Sequence, residues 1–163
     1  MVGSALVRRL QSENCEILNV PRQQLDLRRQ ADVEAWVAEQ RPDAIFIAAA
    51  TVGGILANDT RPAEFIYDNA AIVSNIIHAT HLCGTGKLMF LASSCMYPRA
   101  ANQPITEDSL LAGPLEPTNQ WYALAKITGL KMCQAYRRQY GNDFISVVPT
   151  NLFGPKDNFD LQT

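Results

Sequence analysis

Short β-branched or apolar runs alternate along the chain with longer stretches of helical period, the pattern of an α/β fold built on a parallel sheet. The runs predict strands at Glu16–Val20, Ala44–Ala49, Lys87–Ala92 and Ser146–Pro149. Helices are predicted at about Ser4–Ser12, Gln30–Gln40, Pro62–Cys83 and Asn119–Tyr140. In the second of these, Val33, Trp36 and Val37 recur at the i, i+3, i+4 spacing of one buried face. In the third, Phe65, Ile66, Ile72, Val73, Ile76 and Ile77 are apolar around much of the circumference. Gly84 and Gly86 then close it before the strand at Lys87. No internal repeat or low-complexity segment interrupts the pattern.

One position breaks the alternation. The chain opens on a helix at Met1-Val2-Gly3-Ser4, where a doubly wound Rossmann-type sheet places its first strand, at the centre beside the dinucleotide switch point. At the other end, Asn158–Thr163 reads as neither a helix end nor a polar tail. The expectation is one Rossmann-like dinucleotide-binding domain over residues 1–163, lacking its first strand and cut at both ends, with a C-terminal substrate domain outside it. Loss of a central strand unpairs its two neighbours and exposes apolar edges, so these 163 residues alone are expected to be inactive and unstable.

Composition narrows the function classes. Hydrophobic residues make up 47% and charged residues 18%, a globular balance. The net charge is -2 and no run of Lys or Arg exceeds two, so a nucleic-acid footprint is missing. No apolar stretch is long enough to span a bilayer, and the pair Arg8-Arg9 follows the apolar start instead of preceding it, unlike a signal peptide. A cytoplasmic protein is the default. Cys15, Cys83, Cys95 and Cys133 form no Cys-x-x-Cys pair, and His78 and His81 have no ligand partner at metal spacing. No metal site is expected, and both histidines read as packing or surface residues.

Chemistry first shows at Tyr122-Ala-Leu-Ala-Lys126, which sets a phenol and an ammonium four apart on one helical face. A free phenol has a pKa near ~10, and a nearby cation is expected to bring it toward the working range. Alone, such a pair is common on solvated helices. Upstream, however, the strand at Lys87 runs into Ser93-Ser94-Cys95-Met96-Tyr97-Pro98. A hydroxyl at the carboxyl end of a parallel strand lies where these sheets bind ligands, and it can hydrogen-bond a substrate carbonyl.

Ser-Ser-x-x-Tyr-Pro followed by Tyr-x-x-x-Lys resembles the extended short-chain dehydrogenase/reductase superfamily. Within it, Ala48–Gly54, Ser93–Pro98, Glu116-Pro-Thr-Asn119 and Pro149–Pro155 with Asp157-Asn-Phe159 resemble the GDP-L-fucose synthase family, over all 163 residues but only about the N-terminal half of such an enzyme. The resemblance implies epimerisation at C3 and C5 of GDP-4-keto-6-deoxy-D-mannose, then NADPH-dependent reduction at C4. It implies Ser93, Cys95, Tyr122 and Lys126 as catalytic residues. Ser93 is chosen over Ser94 because the superfamily's catalytic hydroxyl precedes the motif tyrosine, here Tyr97, by four. Cys95 takes the place of the family's acid/base cysteine; without the resemblance a buried structural Cys would be the favoured reading. The partner histidine is expected beyond Thr163. Lys156 stands where many relatives carry His and reads as loop variation.

The same resemblance assigns NADP contacts. Met1, Val2 and Gly3 match the tail of the glycine-rich phosphate loop, with Gly3 permitting close helix-to-strand packing. Arg22 stands where NADP-specific members meet the 2′-phosphate; a plain surface Arg is its alternative. Asp26 and Leu27 fit the adenine segment, and Ala48, Ala49 and Ala50 let backbone approach the cofactor. Leu91 and Ala92 lead into Ser93 and Ser94, and Lys126 holds the nicotinamide ribose. Pro149, Thr150, Asn151 and Leu152 match the stretch over the nicotinamide. Substrate contacts are expected from Ser93, Cys95 and Asn151. A homodimer through the Pro62–Cys83 helix and the Tyr122 helix is implied. Two alternatives stand: a sugar-nucleotide 4-epimerase or dehydratase, or an inactive binding or structural module. A dehydratase is expected to carry an acidic pair beside its hydroxyl, where this chain has Cys95-Met96.

Overall fold

The computed structural model describes residues 1–157. Asn158 and Phe159 of the Asp157-Asn-Phe159 motif, with the tail to Thr163, lie outside the described residues. Five helices, α1 Val2–Leu10, α2 Gln30–Gln40, α3 Ile55–Thr60, α4 Pro62–Cys83 and α5 Gln120–Tyr140, accompany three strands, β1 Ala44–Ile47, β2 Lys87–Leu91 and β3 Phe144–Val147. The strands form one parallel sheet in the order β1-β2-β3, with Ile47 opposite Phe90 and Leu91 opposite Val147. This is a Rossmann-type arrangement. Among the described residues no helix is long and apolar enough to cross a membrane.

Local signals account for the long helices. Pro62 starts α4 at a position whose N–H needs no partner, and Gly84 ends it in the left-handed region at φ 73°. Gly141 ends α5 in the same way at φ 74°. α4 and α5 pack along each other and both rest on the sheet, while α2 packs on α4, so the three share one face. Alternate strand positions Ile47, Leu88, Phe90 and Phe144 point into this layer and are buried. Each such side chain contributes about 1.5–3 kcal/mol. Gly129 allows the close approach: a Cβ there would lie 2.6 Å from both Phe90 Cζ and Val73 Cγ2.

Two expectations are corrected here. Glu16–Val20 is not a strand; it makes no ladder pairing among the described residues, and β1 is the sheet edge. Pairing needs a neighbour, which a hydrophobic run cannot announce by itself. On the opposite face of β1, Phe46 is 41% exposed. The last strand runs Phe144–Val147, not Ser146–Pro149, because fully buried Phe144 pairs with Leu88 and Pro149 lacks an N–H for the ladder. The histidines pack as expected. His78 Nδ1 lies 2.9 Å from the Tyr136 hydroxyl, and His81 stacks on Tyr140 while meeting Asn142 Oδ1 at 3.0 Å.

Candidate active site

Because all three strands are parallel, their carboxyl ends lie on one edge of the sheet, where open α/β sheets bind ligands. β1 delivers Ala48–Thr51 there, β2 delivers Ser93–Tyr97 and β3 delivers Pro149–Leu152. Ser93 has extended backbone and begins the short 3-10 turn Ser94–Met96, its Oγ accepting from the Cys95 N–H at 3.5 Å. α5 brings Tyr122 and Lys126 beside this turn. Small residues on the helix, Ala123 and Ala125 with Gly129, let it approach closely.

Lys126 is only 6% exposed. Its Nζ donates to the Leu91 carbonyl at 2.8 Å and lies 5.0 Å from the Phe90 ring centre and 5.4 Å from that of Tyr122. Burial pulls its pKa down to about 8, against a smaller opposing pull from Cys95. Tyr122, edge-on to Phe65 at 6.5 Å, is pushed up to about 12, first by burial and then by Cys95. The expectation that Lys126 lowers the phenol is therefore corrected: the ammonium lies over the ring face and bonds to Leu91, and loss of hydration dominates. Burial also raises the Cys95 thiol, partly offset by the Ser93 hydrogen bond and by Lys126. The mutual electrostatic effects of Cys95 on Tyr122 and Lys126 mark Ser93, Cys95, Tyr122 and Lys126 as one group.

A cleft of about 260 Å³ opens on the same edge, lined by Val20, Arg22, Leu25, Asp26, Leu27, Arg28, Ile72 and the backbone run Ala48–Thr51. None of the four catalytic candidates lines it. It gathers Arg22, Asp26, Leu27, Ala48, Ala49 and Ala50, six of the residues expected to contact the cofactor. Met1–Gly3 and Pro149–Leu152 do not line it. Met1 Sδ lies 3.9 Å from where a Gly154 Cβ would be, so the start of α1 adjoins the loop after β3. The packing role expected for Gly3 is not required, since a Cβ there would meet Ala48 at an ordinary 3.7 Å. Thr150, Asn151 and Leu152 are exposed.

Residues missed by the sequence reading hold this cleft together. Asn69 Oδ1 accepts from the Thr51 N–H at 2.9 Å, and its Nδ2 donates to the carbonyls of Thr51 and Phe65. Asp68 accepts from Thr51 Oγ1 at 3.0 Å and pairs with Arg28 at 3.1 Å. Asn75 Nδ2 donates to the Leu27 carbonyl at 2.9 Å. A signal was available: Asp68-Asn69 interrupts the apolar surface of α4, and buried polar side chains demand partners. Further along, Arg99 pairs with Glu116 at 3.1 Å, tying the loop after Tyr97 to the segment that leads into α5.

Residues 1–162 match the NAD dependent epimerase/dehydratase family. The chain belongs to that family. It is 58% identical over 163 residues to a GDP-L-fucose synthase of Sinorhizobium fredii, covering 100% of this chain and 52% of the relative. Among solved structures it is similar to MlghC, a GDP-mannoheptose C4 reductase from Campylobacter jejuni with NADP bound (TM-score 0.92, 40% identity, 98% of this chain and 48% of that one). It is also similar to a GDP-L-fucose synthetase from Naegleria fowleri bound to NADP (TM-score 0.86, 30% identity, 98% and 53%). The chain thus spans about half the length of the curated relatives it matches.

Proposed function

We propose that the full-length protein converts GDP-4-keto-6-deoxy-D-mannose to GDP-L-fucose, by epimerisation at C3 and C5 and NADPH-dependent reduction at C4. The observation that carries this is Cys95 lying in one group with Ser93, Tyr122 and Lys126, since a thiol there is needed for epimerisation and superfluous for reduction alone. A ketone at C4 acidifies the hydrogens at C3 and C5. Cys95, protonated at neutral pH because burial raises its thiol, is the proton donor to an epimerising carbon.

The residues present fit a dinucleotide. Ala48–Ala50 give the cleft a floor without bulk, Val20, Leu25 and Leu27 give it apolar walls, and Arg22 lies exposed at its side. When bound, the reduced nicotinamide supplies the hydride. Tyr122, neutral with a pKa of about 12, gives its proton to the C4 oxygen, which Ser93 hydrogen-bonds. Lys126 would hold the nicotinamide ribose. Asn151 contributes a substrate contact. Exposed Tyr67 on α4 and Trp121 and Leu124 on α5 support a homodimer through these helices.

The test is a coupled assay on the full-length protein with GDP-4-keto-6-deoxy-D-mannose and NADPH. GDP-L-fucose should accumulate with equimolar NADPH consumption. A product reduced at C4 but not inverted at C3 and C5 would replace this reading with that of a simple C4 reductase.

A further inference from the structure

The two walls of the nucleotide cleft are joined by one chain of charged hydrogen bonds. The Arg28 guanidinium grips Asp26 with both edges of its fork, Nε to Oδ1 at 2.9 Å and Nη2 to Oδ2 at 2.7 Å, and the Arg28 backbone N–H adds a third bond to Oδ1 at 3.1 Å. Its remaining nitrogen, Nη1, reaches Asp68 Oδ1 at 3.1 Å. Asp68, 8% exposed, uses its other oxygen to accept from Thr51 Oγ1 on the opposite wall. All three guanidinium nitrogens are thus committed to carboxylates, in the bidentate geometry that makes such bonds strong. The guanidinium is thereby held in place against Asp26 and Asp68, its charge opposed by both carboxylates. Arg22, exposed on the same cleft, forms no ion pair among the described residues.

The charge balance of the cleft follows. Asp26 lines it and Asp68 is hydrogen-bonded to the lining residue Thr51, so without Arg28 one uncompensated carboxylate would face whatever Arg22 attracts and a second would lie close behind. Removing the partner of a buried carboxylate such as Asp68 leaves an uncompensated charge in the fold. We propose that Arg28 is the specificity-determining positioning residue of this cleft: by neutralising Asp26 and Asp68 it lets Arg22 accept a nucleotide bearing a ribose 2′-phosphate. This rests on the dinucleotide reading given above and extends it to a residue whose guanidinium is held by two carboxylates of the cleft. A cleft built this way discriminates by removing repulsion rather than by adding a second phosphate ligand.

Binding of adenosine 2′,5′-bisphosphate and of 5′-AMP to the full-length protein, measured calorimetrically, tests it. In Arg28→Leu, affinity for the bisphosphate should fall about tenfold or more while affinity for 5′-AMP changes less than about threefold. Arg28→Leu with Asp26→Asn should recover most of the lost preference, because the facing carboxylate is gone. If the unpaired Asp68 unfolds the single variant, Arg28→Leu with Asp68→Asn carries the same comparison. Equal weakening of both nucleotides, no change in either, or failure of Asp26→Asn to restore the preference would overturn the proposal. A wild-type protein that binds neither nucleotide would instead sink the dinucleotide reading on which it rests.

Discussion

In the full-length protein, replacing Lys126 with Met should raise stability at neutral pH while removing the proposed reductase activity. The ammonium is 6% exposed and its pKa is drawn from the ordinary 10.5 down to about 8 by burial. That drop corresponds to a penalty of about 3 kcal/mol for folding with the charge in place. Met loses the bond to the Leu91 carbonyl, about 1 kcal/mol, and the contacts of a cation with the Phe90 and Tyr122 rings, up to about 1 kcal/mol more. A net gain of about 1–2 kcal/mol remains. Its pH dependence gives the sharper test. Below pH 8 both folded and unfolded wild-type chains hold the proton, so the full penalty applies. Between about 8 and 10.5 the unfolded chain still holds it and the folded chain has released it, so wild-type stability rises with pH. Lys126→Met has no such proton, and its advantage should shrink across that window. Urea unfolding of both proteins at pH 7 and pH 10 measures this. A variant less stable than wild type at pH 7, or a difference constant with pH, would refute the burial argument.

Other outcomes follow from the same geometry. Gly129→Ala should cost about 1–3 kcal/mol in urea unfolding, because the clash with Phe90 and Val73 outweighs alanine's advantage of about 1 kcal/mol in a helix. Iodoacetamide at pH 7.5 should label exposed Cys15 well before Cys95 or buried Cys133, both of whose thiols burial raises; peptide mapping over time would show the order. In the full-length protein, Tyr122→Phe should lower the rate of C4 reduction by about 10²–10⁴ with little change in stability. Cys95→Ser should stop solvent-deuterium incorporation at C3 and C5 yet leave reduction of the ketone measurable, as mass spectrometry of the product would reveal.

Much of the scaffold is written in local chemistry. α2 and α4 run between the residues that their apolar period, Pro62 and Gly84 indicate, because caps and periodicity act within a few residues. α3 was not read from the sequence: six residues, with Ile55 and Leu56 exposed, carry too short a pattern. Glu16–Val20 has strand composition without a strand, since pairing is a property of neighbours. At the site, helical spacing singled out Tyr122 and Lys126, and the family resemblance added Ser93 and Cys95 to them. The Arg28 network was hidden because its decisive bond joins residues 40 apart in sequence. The direction of the Tyr122 shift was hidden too, as burial against Phe65 and α5's depth in the fold are tertiary facts.

We propose above all that Ser93, Cys95, Tyr122 and Lys126 take part in both the epimerisation and the reduction of a GDP-linked 4-keto sugar by the full-length protein. The most direct measurement follows NADPH absorbance and product stereochemistry together, with the full-length protein and GDP-4-keto-6-deoxy-D-mannose. The account predicts one NADPH oxidised per GDP-L-fucose formed. NADPH left unconsumed, or a product reduced without inversion at C3 and C5, would contradict it.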